Sequence, residues 1–96
     1  MHTTTSPFGE TLRTYRRGTG QSQLEAALSA GISQRHLSFL ESGRAKPSRG
    51  MVLALGGTLG LSLAQQNDML LAAGYAPIFK PEGRDPAELE LIERAL

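Results

Sequence analysis

The chain has 96 residues, no cysteine, no tryptophan and two histidines, with ten basic and nine acidic side chains for a formal charge of +1. That length makes one domain; the missing cysteines exclude a disulfide scaffold and a thiolate metal site, and His2 and His36 are too widely separated to suggest a metal cluster. No apolar run approaches the ~18 residues of a membrane span, and "MHTTTSPFGE" has neither the basic nor the apolar region of a signal peptide, so a soluble cytoplasmic protein without metal or cofactor is expected.

Ser6 followed by Pro7 reads as a helix cap and a proline at the first helical position, where its missing N–H is not needed. Phe8, Leu12 and Tyr15 follow at i, i+4 and i+7, a helical apolar stripe ending near Gly18 and Gly20. Ser22 with Glu25 three residues on is a capping box, opening a short helix through Leu24, Ala27 and Leu28 that Gly31 closes. Ser33 caps a third helix, carrying Leu37 and Leu40 and stopping at Ser42-Gly43.

After "RAKP", Ser48 begins a helix through Met51, Val52, Leu55 and Leu59, closed by Gly60. Gly56-Gly57 lies inside it at a cost of about 0.8–1 kcal/mol per glycine, consistent with close helix packing or with a hinge. Ser62 with Gln65 forms another capping box, for a helix carrying Met69, Leu70 and Leu71 and ended by Gly74. Then "YAPIFKPEGR" leads to Asp85-Pro86-Ala87-Glu88, a further capping signature, and to a last helix with Leu89, Ile92 and Leu96 on one face.

No alternating run of β-branched residues appears. The expected fold is therefore all-α: a compact five-helix domain over residues 6–76, a linker over 77–84 and a C-terminal helix over 85–96. Charge follows the same division. Residues 1–79 carry seven basic against four acidic groups, and residues 80–96 three against five. A modest basic excess is compatible with a polyanion partner without establishing one.

The second and third helices are joined by "AGIS", a tight glycine-containing turn with apolar Ile32 in it, which is helix-turn-helix spacing. In that arrangement the second helix projects its N-terminus from the surface, and such a helix fits a DNA major groove about 12 Å wide. At about 100° per residue, Leu37, Leu40 and Glu41 share the inward side, while Ser38, Arg35 and Phe39 face outward at about 100°, 160° and 200° from Leu37. Gln34 occupies the exposed first turn. Arginine donates twice to guanine, glutamine pairs with adenine, and a phenyl ring can cover a thymine methyl. Phe39 is open to two readings, a thymine contact or packing on a neighbouring helix. His36 flanks the core side, as a partly buried spacer or a reader.

"SQLEAALSAGISQRHLSFLESGRAKPS" resembles the phage-repressor and Cro-type (XRE) helix-turn-helix family in Gly20, Ser22, Gln23, Ala27, Gly31, Ile32, Ser33, Leu37, Leu40, Glu41, Gly43, Pro47 and Ser48, over about residues 8–76. The stretches "RHLSFLESGR" and "LLAAGYAP" are similar, more narrowly, to MmyB-like regulators, which continue into a ligand-sensing domain that would begin near Leu96. The resemblance implies that Gln34, Arg35, Ser38 and Phe39 face bases and that Gln23, Ser42, Arg44 and Lys46 grip phosphate. It also implies an internal ion pair between Arg16 and Glu41. Arg13, Arg17 and Arg49 are a solvated rim or peripheral phosphate contacts. Gln21 and Ala26, where the family has larger apolar residues, and Gly56-Gly57 subtract core area or helix propensity.

The expected function is sequence-specific double-stranded DNA binding by a transcriptional regulator, with recognition helix 33–42 in the major groove and a homodimer on a palindromic site. The alternative is a protein-interaction module, an antitoxin or partner-docking domain in which DNA is secondary; the apolar face of the last helix favours some partner. No nucleophile–base pair, carboxylate pair or phosphate loop appears, so an enzyme is not expected.

Overall fold

The computed structural model describes residues 7–79, and the expected cap Ser6 and C-terminal helix over 85–96 lie outside them. Five helices and no strand occupy the described residues: α1 (Pro7–Gly18), α2 (Gln23–Ala30), α3 (Gln34–Ser42), α4 (Arg49–Thr58) and α5 (Leu63–Ala72). Four of the starts are set by serine. Ser22, Ser33, Ser48 and Ser62 each hold extended backbone and accept the amide N–H three residues on, and Glu25 and Gln65 complete capping boxes at α2 and α5.

The turn between α2 and α3 closes on itself. Gly31 sits at φ 72°, in the left-handed region, where a side chain would be strained. Its N–H donates to Leu28 O (3.2 Å) and that of Ile32 to Ala27 O (3.0 Å), the paired bonds of a Schellman end. Ile32 then packs against the core and Ser33 starts α3.

Helix α1 packs on α3 and α5, α2 on α3 and α4, and α4 on α5. The core is aliphatic apart from Phe8: Leu12 of α1, Ala26 and Ala27 of α2, Leu37 and Leu40 of α3, Val52 and Leu55 of α4 with Leu59 at its end, and Met69 and Leu70 of α5. Two glycines set how closely helices approach. A Cβ on Gly9 would collide with the backbone carbonyl of Glu41 and come within 2.9 Å of Leu40 O, so α1 crosses α3 with nothing between them. A Cβ on Gly56 would reach 2.8 Å from Gln66 Cγ, which explains one glycine of the Gly56-Gly57 pair by packing between α4 and α5; Gly57 has nothing within 4 Å.

Two stripes differ from expectation. Leu24 and Leu28 lie on α2 as expected but are 50 % and 70 % exposed, because α2 turns its alanines inward. Leu71 is exposed as well, since three successive residues of a helix cannot share one face. Beyond α5 the chain stays anchored. Tyr75 Oη donates to Pro47 O (2.8 Å), and the Asn67 amide donates to Phe79 O (2.7 Å) and accepts from Phe79 N (3.0 Å). No helix among the described residues is long and apolar enough to cross a membrane.

Candidate nucleic-acid interface

Helix α3 is fastened from behind by a charge network. Glu41 is fully buried, and its carboxylate accepts from Arg16 Nε (2.5 Å) and Nη2 (3.0 Å) and from Gln23 Nε2 (3.0 Å), with Arg13 Nε 3.5 Å away. Arg16 spends its remaining Nη1 on Gln21 O at 2.9 Å. Burial by itself would raise the Glu41 carboxyl, but hydrogen bonds from Arg16 and Gln23 and the Arg16 charge hold it below its ordinary value. Arg16 is correspondingly raised, chiefly by its hydrogen bond to Glu41 and against the cost of burial. Residues from α1, α2 and α3 thus meet at one carboxylate.

The outer face of α3 is different in kind. Gln34, Arg35 and His36 are exposed, Ser38 and Phe39 half-buried, and Leu37 and Leu40 fully buried. His36 is therefore not a partly buried spacer: it lies on the solvent side of α3 with Gln34 and Arg35. Arg44 and Lys46, on the exit from α3, are exposed, as are Ser48 and Arg49. Between Gln34 and Arg49 the sole carboxylate is Glu41, buried and paired, so four cations (Arg35, Arg44, Lys46 and Arg49) face outward with no exposed acidic residue among them.

Phe39 belongs to this surface and not to the apolar core cluster. The Arg35 guanidinium lies over its ring, 5.2 Å from the centroid, and that of Arg44 at 5.4 Å. Its carbonyl gathers the exit: the N–H groups of Gly43, Arg44 and Ala45 point to Phe39 O, the last two at 2.9 and 3.1 Å, and Ser42 Oγ donates to it at 3.3 Å. The chain therefore folds back under α3 and returns Arg44 to the ring. At the edge, Arg49 lies over Tyr75 at 5.7 Å.

The structure brings Gln34, Arg35, Ser38, Phe39, Arg44 and Lys46 onto α3 and its exit. Gln23 and Ser42 already hold internal hydrogen bonds, the former to Glu41 and the latter to Phe39 O. Arg13, read from the sequence as solvated rim or peripheral phosphate contact, joins the Glu41 cluster, and Gln21 supplies that cluster with a backbone acceptor. One signal pointed there: Arg13 and Arg16 are three residues apart and share a face of α1. No local signal marks Gly9. Among the described residues no group of three metal-ligating side chains occurs.

Residues 7–69 match a family model described as a helix-turn-helix domain. Among solved structures, the crystal structure of the clp gene regulator ClgR from C. glutamicum is similar at 32 % identity, over 72 % of this chain and 86 % of that one, with a TM-score of 0.62. No curated protein sequence matches the chain.

Proposed function

Because this chain belongs to the helix-turn-helix domain family, we propose that it is a transcriptional regulator that binds double-stranded DNA sequence-specifically, with α3 in the major groove. The observation that carries the reading is the run from Gln34 to Arg49: four outward cations, exposed Gln34 and no exposed carboxylate, on a helix anchored from behind. Arg44 and Lys46, with Gln23 and Ser42 at the rim, contact phosphate and make affinity salt-dependent; Gln34, Arg35 and Ser38 read base edges. For Gln23 this contact uses the part of its amide not donated to Glu41. The similarity to ClgR, a gene regulator by its description, supports the same reading.

The finer assignment is a repressor and Cro-type (XRE), MmyB-like regulator, its DNA-binding unit over residues 6–76 followed by a linker over 77–84 and a helix over 85–96. One recognition helix spans few base pairs, so the chain acts as a homodimer on half-sites about 34 Å apart. Selection from a random duplex pool tests this. The wild type should enrich a two-fold symmetric site, while Arg35→Ala should lose about 1–3 kcal/mol and relax one base pair in each half. No enrichment, together with a flat salt dependence between 50 and 200 mM, overturns the DNA reading. It would instead favour a partner-docking module, for which the exposed Leu24 and Leu28 of α2 are the relevant observation.

A further inference from the structure

Phe39 is half-buried without belonging to the apolar core cluster, and the contacts its ring makes on the outer face are with charge. Two guanidiniums lie within 5.4 Å of its centroid, and both belong to exposed residues that would otherwise sample many rotamers. A guanidinium over an aromatic face is attracted by the ring's quadrupole, and the contact removes side-chain freedom before any ligand arrives. Arg35 comes to the ring from one helical turn earlier on α3. Arg44 comes from the exit turn, which is tied to the carbonyl of the same residue.

We propose that Phe39 is a positioning residue for DNA recognition: its ring holds Arg35 toward the bases and Arg44 toward the phosphate backbone, so that one side chain sets the spacing between a specificity contact and an affinity contact. This rests on the DNA-binding reading above. It assigns Phe39 a role distinct from contacting a thymine methyl, because the ring acts through two arginines. The half-buried position fits, since a platform needs a fixed ring and two free charges. Its backbone role is separable: the hydrogen bonds to Phe39 O do not depend on the side chain, so a substitution can remove the ring and leave the exit turn tied.

The variants are Phe39→Leu, which keeps apolar bulk without a quadrupole, and Phe39→Tyr, which keeps the ring, each made also with Arg35→Ala. Without DNA, NMR of the wild type should show the δ protons of Arg35 and Arg44 shifted upfield by the ring current. The shift should vanish in Phe39→Leu and persist in Phe39→Tyr. On the site selected by the wild type, Phe39→Leu should weaken binding about 5- to 30-fold, the equivalent of two exposed cation–π contacts, with Phe39→Tyr within about 3-fold of wild type. In the Arg35→Ala background the loss should shrink, since one of the two arginines is already gone.

Arginine δ protons at their unperturbed positions in the free protein overturn the platform. Additive losses in Phe39→Leu and Arg35→Ala, or a changed base preference in Phe39→Leu at a thymine separate from the position read by Arg35, overturn it in favour of direct contact. A wild type that binds no duplex DNA removes the DNA-binding reading and the positioning role together, while the NMR comparison still reports whether the ring orders the arginines. A thermal midpoint of Phe39→Leu within a few degrees of wild type separates these outcomes from a folding defect.

Discussion

Replacing Glu41 with leucine perturbs the point at which α1, α2 and α3 are joined. The substitution keeps apolar volume in a fully buried position and removes the acceptor for Arg16 Nε and Nη2 and for Gln23 Nε2. Arg16, whose side chain is 8 % exposed, would keep only its bond to Gln21 O. An ion left unpaired in the interior costs about 3–5 kcal/mol. At about 0.05–0.15 kcal/mol per residue, the described residues hold roughly 4–11 kcal/mol in total, so the change removes a large part of it. With a urea m value of about 1 kcal/mol/M, the circular dichroism midpoint should fall by about 3–5 M, or the chain should be unfolded without denaturant. Arg16→Met combined with Glu41→Leu removes both charges and should recover much of the loss, with a coupling of about 2 kcal/mol or more in the double-mutant cycle. A single-variant cost below about 1 kcal/mol, or a double variant at the sum of its singles, would refute the reasoning.

Acid should weaken the same network. The Glu41 carboxyl is held below its ordinary value near 4.5 when folded, so its contribution is fully present above that pH. As pH falls below 4.5 the unfolded state takes up the proton first and the contribution is lost; urea titrations at pH 7, 5, 4 and 3 should therefore fall more steeply for wild type than for Glu41→Gln. Gly57→Ala should raise stability by about 0.5–1 kcal/mol, because the position is helical, exposed and open around the added methyl group. Gly9→Ala should lower the thermal midpoint instead, since its Cβ meets backbone that cannot move aside. Arg44→Gln and Lys46→Gln should each reduce the slope of log affinity against log salt by about one, with the selected base preferences unchanged.

The five helices were legible because their signals are local. A capping serine needs only the amide three residues on, and the Gly31 turn needs only one residue able to take a positive φ, so Ser22, Ser33, Ser48, Ser62 and "AGIS" mark the elements without knowledge of the rest of the fold. Helical periodicity likewise separates Leu37, Leu40 and Glu41 from Gln34 and Arg35, because the faces of a single helix follow from its pitch.

What lay beyond the chain's local chemistry is the identity of neighbours brought from afar. Arg16 and Glu41 are 25 residues apart and Asn67 and Phe79 twelve, and nothing near any of them states the pairing; the Arg16–Glu41 pair was expected from the family resemblance and not from its local sequence. Leu24 and Leu28 look like core by spacing, yet α2 buries its alanines, since which stripe faces inward depends on the helices it meets. Gly9 reads as an ordinary residue until α3 crosses against it. Phe39 is the sharpest case. Helix pitch put it outward and its apolar ring argued inward; the fold resolved the conflict by returning Arg44 beside Arg35 over the same ring, a contact that exists only once the exit turn has closed on the Phe39 carbonyl.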